Sequence, residues 1–406
     1  MAVAQTAGRS RRKGIVMSRF SMRILCGALA SCVLAEFSAG AATEKIVYSF
    51  QGSSDGAHPS AGPINVGGTL YGTTSLGGAN ASGTVFSVTL AGVETVLHAF
   101  TGGNDGSFPW SSLIHLHGKL YGTAAGGGAN GLGVVFAMSE AGAETVVYSF
   151  MGADDGIEPL GRLIAVGGTL YGTTYAGGGY YCYDNDGCGT AFSVTPAGAE
   201  SVLYAFKGGT DGAEPYGHLT YANGTFYGTT DFGGTHGGRG TVFAVTQTGA
   251  EKRVHSFKGG SDGNNTEAGL VDVGGTLYGT TLYGGGAGCD GGGCGTVFSI
   301  SPGGRESVVY VFKGGDDGAV PIAGLVEMHG TLYGTTYQGG TGNAGTVFSV
   351  TPAGVEKIVY AFRGGSDGAG PVGLINVGGM LYGATNAGGG SGCYDGGCGT
   401  VFSVQP

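Results

Sequence analysis

The sequence predicts an all-β fold: a seven-bladed β-propeller of four-stranded blades. Three observations predict it. Tyr-Gly recurs seven times, at Tyr71-Gly72, Tyr121-Gly122, Tyr171-Gly172, Tyr227-Gly228, Tyr278-Gly279, Tyr333-Gly334 and Tyr382-Gly383, with a period of about fifty residues that signals a propeller, solenoid or array. Each copy follows a two-residue link ending in Gly, from Gly67-Gly68 to Gly378-Gly379, the chemistry of a type I′ hairpin. The seventh repeat runs out of chain before its fourth strand, and a matching strand stands at residues 44–50.

Within one repeat, an apolar segment Ala323 to Met328 is strand A. The turn His329-Gly330 leads to strand B, Thr331 to Thr336. A Gly-rich loop precedes strand C, Gly345 to Thr351, and Pro352-Ala353-Gly354 turns into strand D, Glu356 to Phe362. Ile358, Tyr360 and Phe362 alternate on one face, as a strand requires. Four antiparallel strands of six to eight residues are expected per blade. One blade cannot bury both faces, whereas blades stacked around an axis can. A β-helix competes on period alone, but its parallel coils need no two-residue hairpins.

The blades are expected at about residues 61–100, 111–150, 161–206, 217–257, 268–312, 323–362 and 372–406 plus 44–50. Glu44-Lys45-Ile46-Val47-Tyr48-Ser49-Phe50 nearly duplicates Glu356 to Phe362. It is predicted to pair with the last C strand, close the ring and cover an open sheet edge.

Residues 1–42 read as an export signal. Six basic residues precede an apolar stretch from Ile24 to about Leu34, and Ala39-Gly40-Ala41 matches an A-x-A cleavage site. Met17 is an alternative start to Met1. Leu29-Ala30-Ser31-Cys32 offers a lipobox alternative with a lipid on Cys32. No transmembrane helix is expected, because the apolar run is too short. The rest of the chain holds 12 basic and 27 acidic residues, a balance that argues against nucleic acid as a partner. The chain has 92 Gly, yet 10% of its residues are aromatic and its apolar runs are regular, which argues against disorder.

The repeats Gly168 to Thr174, Gly345 to Gly354 and Phe257 to Gly263 resemble the GloVer tandem repeat of bacterial choice-of-anchor proteins. The resemblance covers roughly residues 44–406. It implies an exported propeller-like protein with no established activity. Kelch repeats are a looser architectural likeness, since Trp110 is the only Trp.

Six cysteines fall into three close pairs, Cys182/Cys188, Cys289/Cys294 and Cys393/Cys398. In an exported protein they read as disulfides, each closing a short loop and contributing roughly 2 kcal/mol. Every D–A loop carries an Asp-Gly, at Asp55, Asp105, Asp155, Asp211, Asp262, Asp317 and Asp367. Sevenfold repetition favours a structural turn role for these aspartates.

Binding is expected on the rim that carries the B–C and D–A loops. The candidates are Tyr175, Tyr183, Phe232, Tyr283 and Tyr337 for stacking against sugar rings, with His236 and Arg239 as polar contacts. Asp184 and Asp186 are a calcium candidate, although the loop lacks the distal Glu of an EF-hand; no other cofactor is expected. The eight His form no metal constellation, with His98 and His255 read as packed strand residues. No nucleophile elbow or P-loop occurs, so no catalytic residue is assigned. The expected function is a noncatalytic, extracytoplasmic binding protein, acting as a monomer on a glycan or protein. A propeller enzyme acting on polysaccharide (lyase, glycosidase or oxidase) and a structural envelope component are the alternatives.

Overall fold

The structure is a computed structural model that describes residues 43–406 apart from 153, 183–185, 290, 302, 394 and 395. The export-signal, lipobox and start-site expectations therefore lie outside the described residues. The described chain forms seven four-stranded antiparallel sheets. In blade one, strands A to D are Ile64–Val66, Thr69–Thr74, Thr84–Thr89 and Glu94–Ala99. Strand A is shorter than expected: it spans three residues in blades one to six and lengthens to Ala369–Val377 only in blade seven. The preceding Gly-containing segments line the ring's axis instead of joining a ladder.

Blade seven is completed by the N-terminal strand. Glu44–Ser49 pairs antiparallel with Thr400–Val404, in register from Glu44↔Val404 to Ser49↔Thr400. Every C–D pair, this one included, carries a bulge at the same point. Such bulges sharpen the twist of outer strands.

The core sits between blades. Tyr71 of blade one packs with Leu113, Leu120 and Phe136 of blade two, and Tyr121 repeats this against Leu163, Leu170 and Phe192. Gly of the Tyr-Gly motif serves a different purpose. It lies directly opposite the C-strand Phe, as in Gly72↔Phe86, and a Cβ on Gly72 would stand 2.5 Å from that ring. All seven motif glycines face a Phe in this way. Each such Phe meets, edge to face, the Phe that ends the preceding blade's D strand, from Phe50–Phe86 at 5.0 Å to Phe362–Phe402 at 4.9 Å. These contacts add to the area the rings bury.

The repeated aspartates tie each blade to its loop. Each accepts a hydrogen bond from the backbone N–H four residues earlier, as in Gln51 to Asp55 at 2.8 Å. Each also bonds the D-strand Tyr or His seven residues earlier, as in Tyr48 to Asp55 at 2.8 Å. The first residue of the next blade's D strand is always Glu, and it lies beside this pair. Burial, and then the charge of that aspartate, raises each of Glu44, Glu94, Glu144, Glu200, Glu251, Glu306 and Glu356 to about 7. In all seven, one carboxyl oxygen is buried without a hydrogen bond.

His replaces Tyr at two junctions, and at one of them His255, Asp262 and Glu306 place ligand atoms within 4.8 Å of one another. That corrects the expectation that no histidine joins a metal-capable group. Glu306 arrives from the neighbouring blade, which sequence proximity does not reveal. Tyr occupies the histidine's place in five of the seven junctions, so the arrangement is first a junction of the fold.

Candidate functional site

The rim is assembled by a pairing repeated in six blades. The D–A loop bridges to the start of the B–C loop in the same blade, as in Ala57↔Leu76 and Ala213↔Phe232. Three residues after each loop aspartate, the backbone turns left-handed. The residues there are His58, Phe108, Glu158, Glu214, Asn265, Val320 and Gly370, with φ between 54° and 61°. Two interblade or intrablade hydrogen bonds hold the conformation. The N–H at this position donates to the preceding blade's B–C loop, as in Glu158 to Leu132. The carbonyl accepts from the residue after strand B, as in Tyr175 to Glu158.

Gly is the unstrained choice at such a φ, yet only blade seven uses it. Left-handed non-Gly residues cost on the order of 1–3 kcal/mol and concentrate at functional sites. Here they deliver different side chains to one place. A cavity of about 850 Å³ opens at this rim, and its lining includes His58, Phe108, Trp110, Glu158, Tyr175 and Asp231. Tyr216, Glu267 and Asn386 complete its polar part.

Phe108 and Trp110 are each 41% exposed, and so present aromatic surface to the cavity. Tyr175 donates to Glu214 at 2.6 Å, and its ring meets Tyr216 edge-on at 6.2 Å. Burial pushes the Tyr216 hydroxyl up. His58 Nδ1 lies 3.0 Å from the Asn386 carbonyl oxygen, and the Asn386 amide donates to Pro59, so the two ends of the ring meet at the rim.

The cavity also holds a carboxylate pair. Asp231 is buried, and one of its carboxyl oxygens has no hydrogen-bond partner. Burial raises it to about 6; its bond with Asn265 opposes this and the Glu214 charge reinforces it. Glu267 is raised to about 7 by burial and by Asp231. Carboxyls raised in this way exchange protons near neutral pH.

Of the residues expected from sequence, Tyr175 lines this cavity. Tyr337 packs over Gly370 and its hydroxyl lies 3.5 Å from the Asn386 side-chain oxygen, next to the lining. Asp186 lies near enough to Glu158 for its charge, after burial, to raise that carboxyl. Phe232 packs against the core between blades three and four. Tyr283, His236 and Arg239 are exposed and do not line the cavity. Tyr183 and Asp184 lie outside the described residues.

Trp110, Glu158, Tyr216, Asp231 and Glu267 escaped sequence reasoning. Their signal was three columns of the repeat whose residue type varies between blades. The residue after the strand B Thr-Thr, or its Thr-Ala or Ala-Thr counterpart, is for example Ser75, Ala125, Tyr175, Asp231, Leu282, Tyr337 and Asn386 in turn.

The three expected disulfides form, Cys182–Cys188, Cys289–Cys294 and Cys393–Cys398, as suits an oxidising, extracytoplasmic environment. No helix among the described residues is long and apolar enough to cross a membrane.

Fold and rim together define a β-propeller with a loop-face cavity. The chain belongs to the Gloeobacter/Verrucomicrobia repeat family, whose pattern matches residues 27–184 and 182–402. No curated protein matches it. Among solved structures it is similar to the WD40 propeller domain of Doa1, at 9% identity and TM-score 0.55 over 89% of this chain and 97% of that one. It is also similar to a 6-phosphogluconolactonase-like protein from Bacteroides uniformis, at 15% identity and TM-score 0.50 over 78% and 88% of the two chains. At these identities the likeness concerns the fold alone.

Proposed function

We propose that this is an exported binding protein that takes a glycan into the rim cavity. The observation that carries the reading is the use of strained, left-handed backbone to gather unlike side chains at one mouth. Exposed Trp110 and Phe108 offer platforms for the apolar faces of sugar rings. Glu158, Asp231 and Asn386 offer acceptors and donors for hydroxyls.

A glycan array followed by calorimetry tests this. Trp110→Ala is expected to weaken the best glycan at least tenfold without unfolding the protein. Unchanged affinity in both Trp110→Ala and Phe108→Ala would remove the cavity from consideration, and exclusive capture of a protein would move the reading to protein recognition.

A second reading rests on Asp231 and Glu267. Two carboxyl groups raised toward neutrality in one cavity suit general acid and base roles on a bound polysaccharide. Asp231→Asn and Glu267→Gln separate the readings. Turnover that disappears while binding persists favours the enzyme, and binding with no turnover in the unaltered protein favours the binding module.

A further inference from the structure

Below the rim lies a second cavity, of about 590 Å³, lined by segments from all seven blades. It shares Trp110, Leu160, Tyr216 and Glu267 with the rim cavity, so the two adjoin. One column of the repeat decides its chemistry. Seven residues after the loop aspartate stand Gly62, Ser112, Arg162, His218, Gly269 and Gly324 in blades one to six. Arg162 and His218 both line the channel.

Arg162 is partly buried at the cavity wall, its Nε is buried without a hydrogen-bond partner, and no ion pair to it forms among the described residues. Burial lowers its pKa, and no carboxylate among the described residues offsets this. His218 adjoins it: burial, then the Arg162 charge, lowers the imidazole to about 3. The His218 ring lies over Gly269, where a Cβ would stand 2.2 Å from Nδ1. The glycines of blades five and six thus clear the space into which His218 reaches. Ser112 and Thr220 are turned to backbone carbonyls of neighbouring blades and do not neutralise the guanidinium.

A cation drawn partly out of water without a counter-charge is costly. A fold that keeps one facing an internal cavity has a use for it. We propose that the channel binds an oxyanion, a phosphate or a carboxylate, on the Arg162 guanidinium, with the His218 imidazole as its second contact. A planar guanidinium matches either group bidentately. Where the ligand is an acidic sugar seated at the rim, its carboxylate would occupy this site; that extension rests on the glycan reading, whereas binding of a free oxyanion does not.

The test uses the full mature chain and three probes: inorganic phosphate, glucuronate and glucose. Phosphate is expected to raise the melting temperature of the unaltered protein more than chloride at equal ionic strength does. Arg162→Met is expected to abolish that rise, and Arg162→Lys to keep part of it. Without phosphate, Arg162→Met is expected to melt no lower than the unaltered protein, since it removes an unpaired, partly buried charge; marked destabilisation would make Arg162 structural and overturn the proposal. An equal phosphate effect in Arg162→Met, or none in the unaltered protein, also overturns it. Glucuronate binding lost in both Arg162→Met and Trp110→Ala supports the acidic-sugar source. Phosphate binding that survives Trp110→Ala supports a free oxyanion. Neutral glycan binding that survives Arg162→Met leaves the rim reading standing by itself.

Discussion

The seven interblade glutamates make the stability of this ring depend on pH in an unusual direction. Each carboxyl stands at about 7 in the folded ring against an ordinary 4.5. A raised carboxyl pKa means that the folded state holds the proton more tightly. The associated stability is fully present below 4.5 and is lost as pH rises through about 7. A fully shielded group would contribute about 3.4 kcal/mol. These side chains are only half-buried, so solvent screening reduces the figure to about 1 kcal/mol each, or about 7 kcal/mol around the ring.

His218 opposes the trend. Its pKa falls from 6.5 to about 3 on folding, so its contribution is lost as pH drops below 6.5, by about 2 kcal/mol at pH 5. The net expectation is a melting temperature several degrees higher near pH 5 than near pH 8.

Differential scanning calorimetry across that range measures it. Glu94→Gln with Glu144→Gln isolates the cause, because Gln mimics the protonated acid. The double variant is expected to gain about 2 kcal/mol at pH 8 and nothing near pH 4.5. A loss of stability at pH 8 in that variant would refute the reasoning, since it would mean that the ionised carboxylates hold favourable contacts.

Four further outcomes are expected. Deleting residues 43–50 removes buried Val47 and Phe50, about 1.5–3 kcal/mol each, together with the whole closing ladder; calorimetry should show a much lower melting temperature, and unchanged melting would refute closure by this strand. Gly279→Ala sets a Cβ 2.6 Å from the Phe298 ring and 2.7 Å from Leu270, an overpacking that should cost about 1–3 kcal/mol in denaturant titration. Glu158→Gly relaxes a backbone at φ 54° and should stabilise the ring by about 1 kcal/mol while weakening the rim ligand; a loss of stability would show that the side chain is structural. Calcium titrated calorimetrically into chelator-treated protein should give heat that vanishes in Asp186→Asn if Asp184 and Asp186 hold the ion, and no heat ends that proposal.

The sequence by itself determined the blade count, the four-strand unit, the closing strand and the cysteine pairs. Each is written in local chemistry: β-prone runs such as Glu356 to Phe362, Gly-ended hairpins such as His329-Gly330, and near-identity between residues 44–50 and 356–362; the expected alternation of Ile358, Tyr360 and Phe362 on one face is broken by the bulge at Val359, which turns Ile358 outward. It also showed the repeated aspartates, but not their partners, because the Glu beside each Asp arrives from the next blade. Only the tertiary structure decided what the nonrepeating residues do. Trp110, Arg162, His218, Asp231 and Glu267 are spread over four repeats and look like scattered exceptions along the chain. A ring brings equivalent positions of successive repeats to one axis, so those exceptions become neighbours there. Burial then shifts their protonation: it lowers the pKa of Arg162 and raises Asp231 and Glu267 toward neutrality.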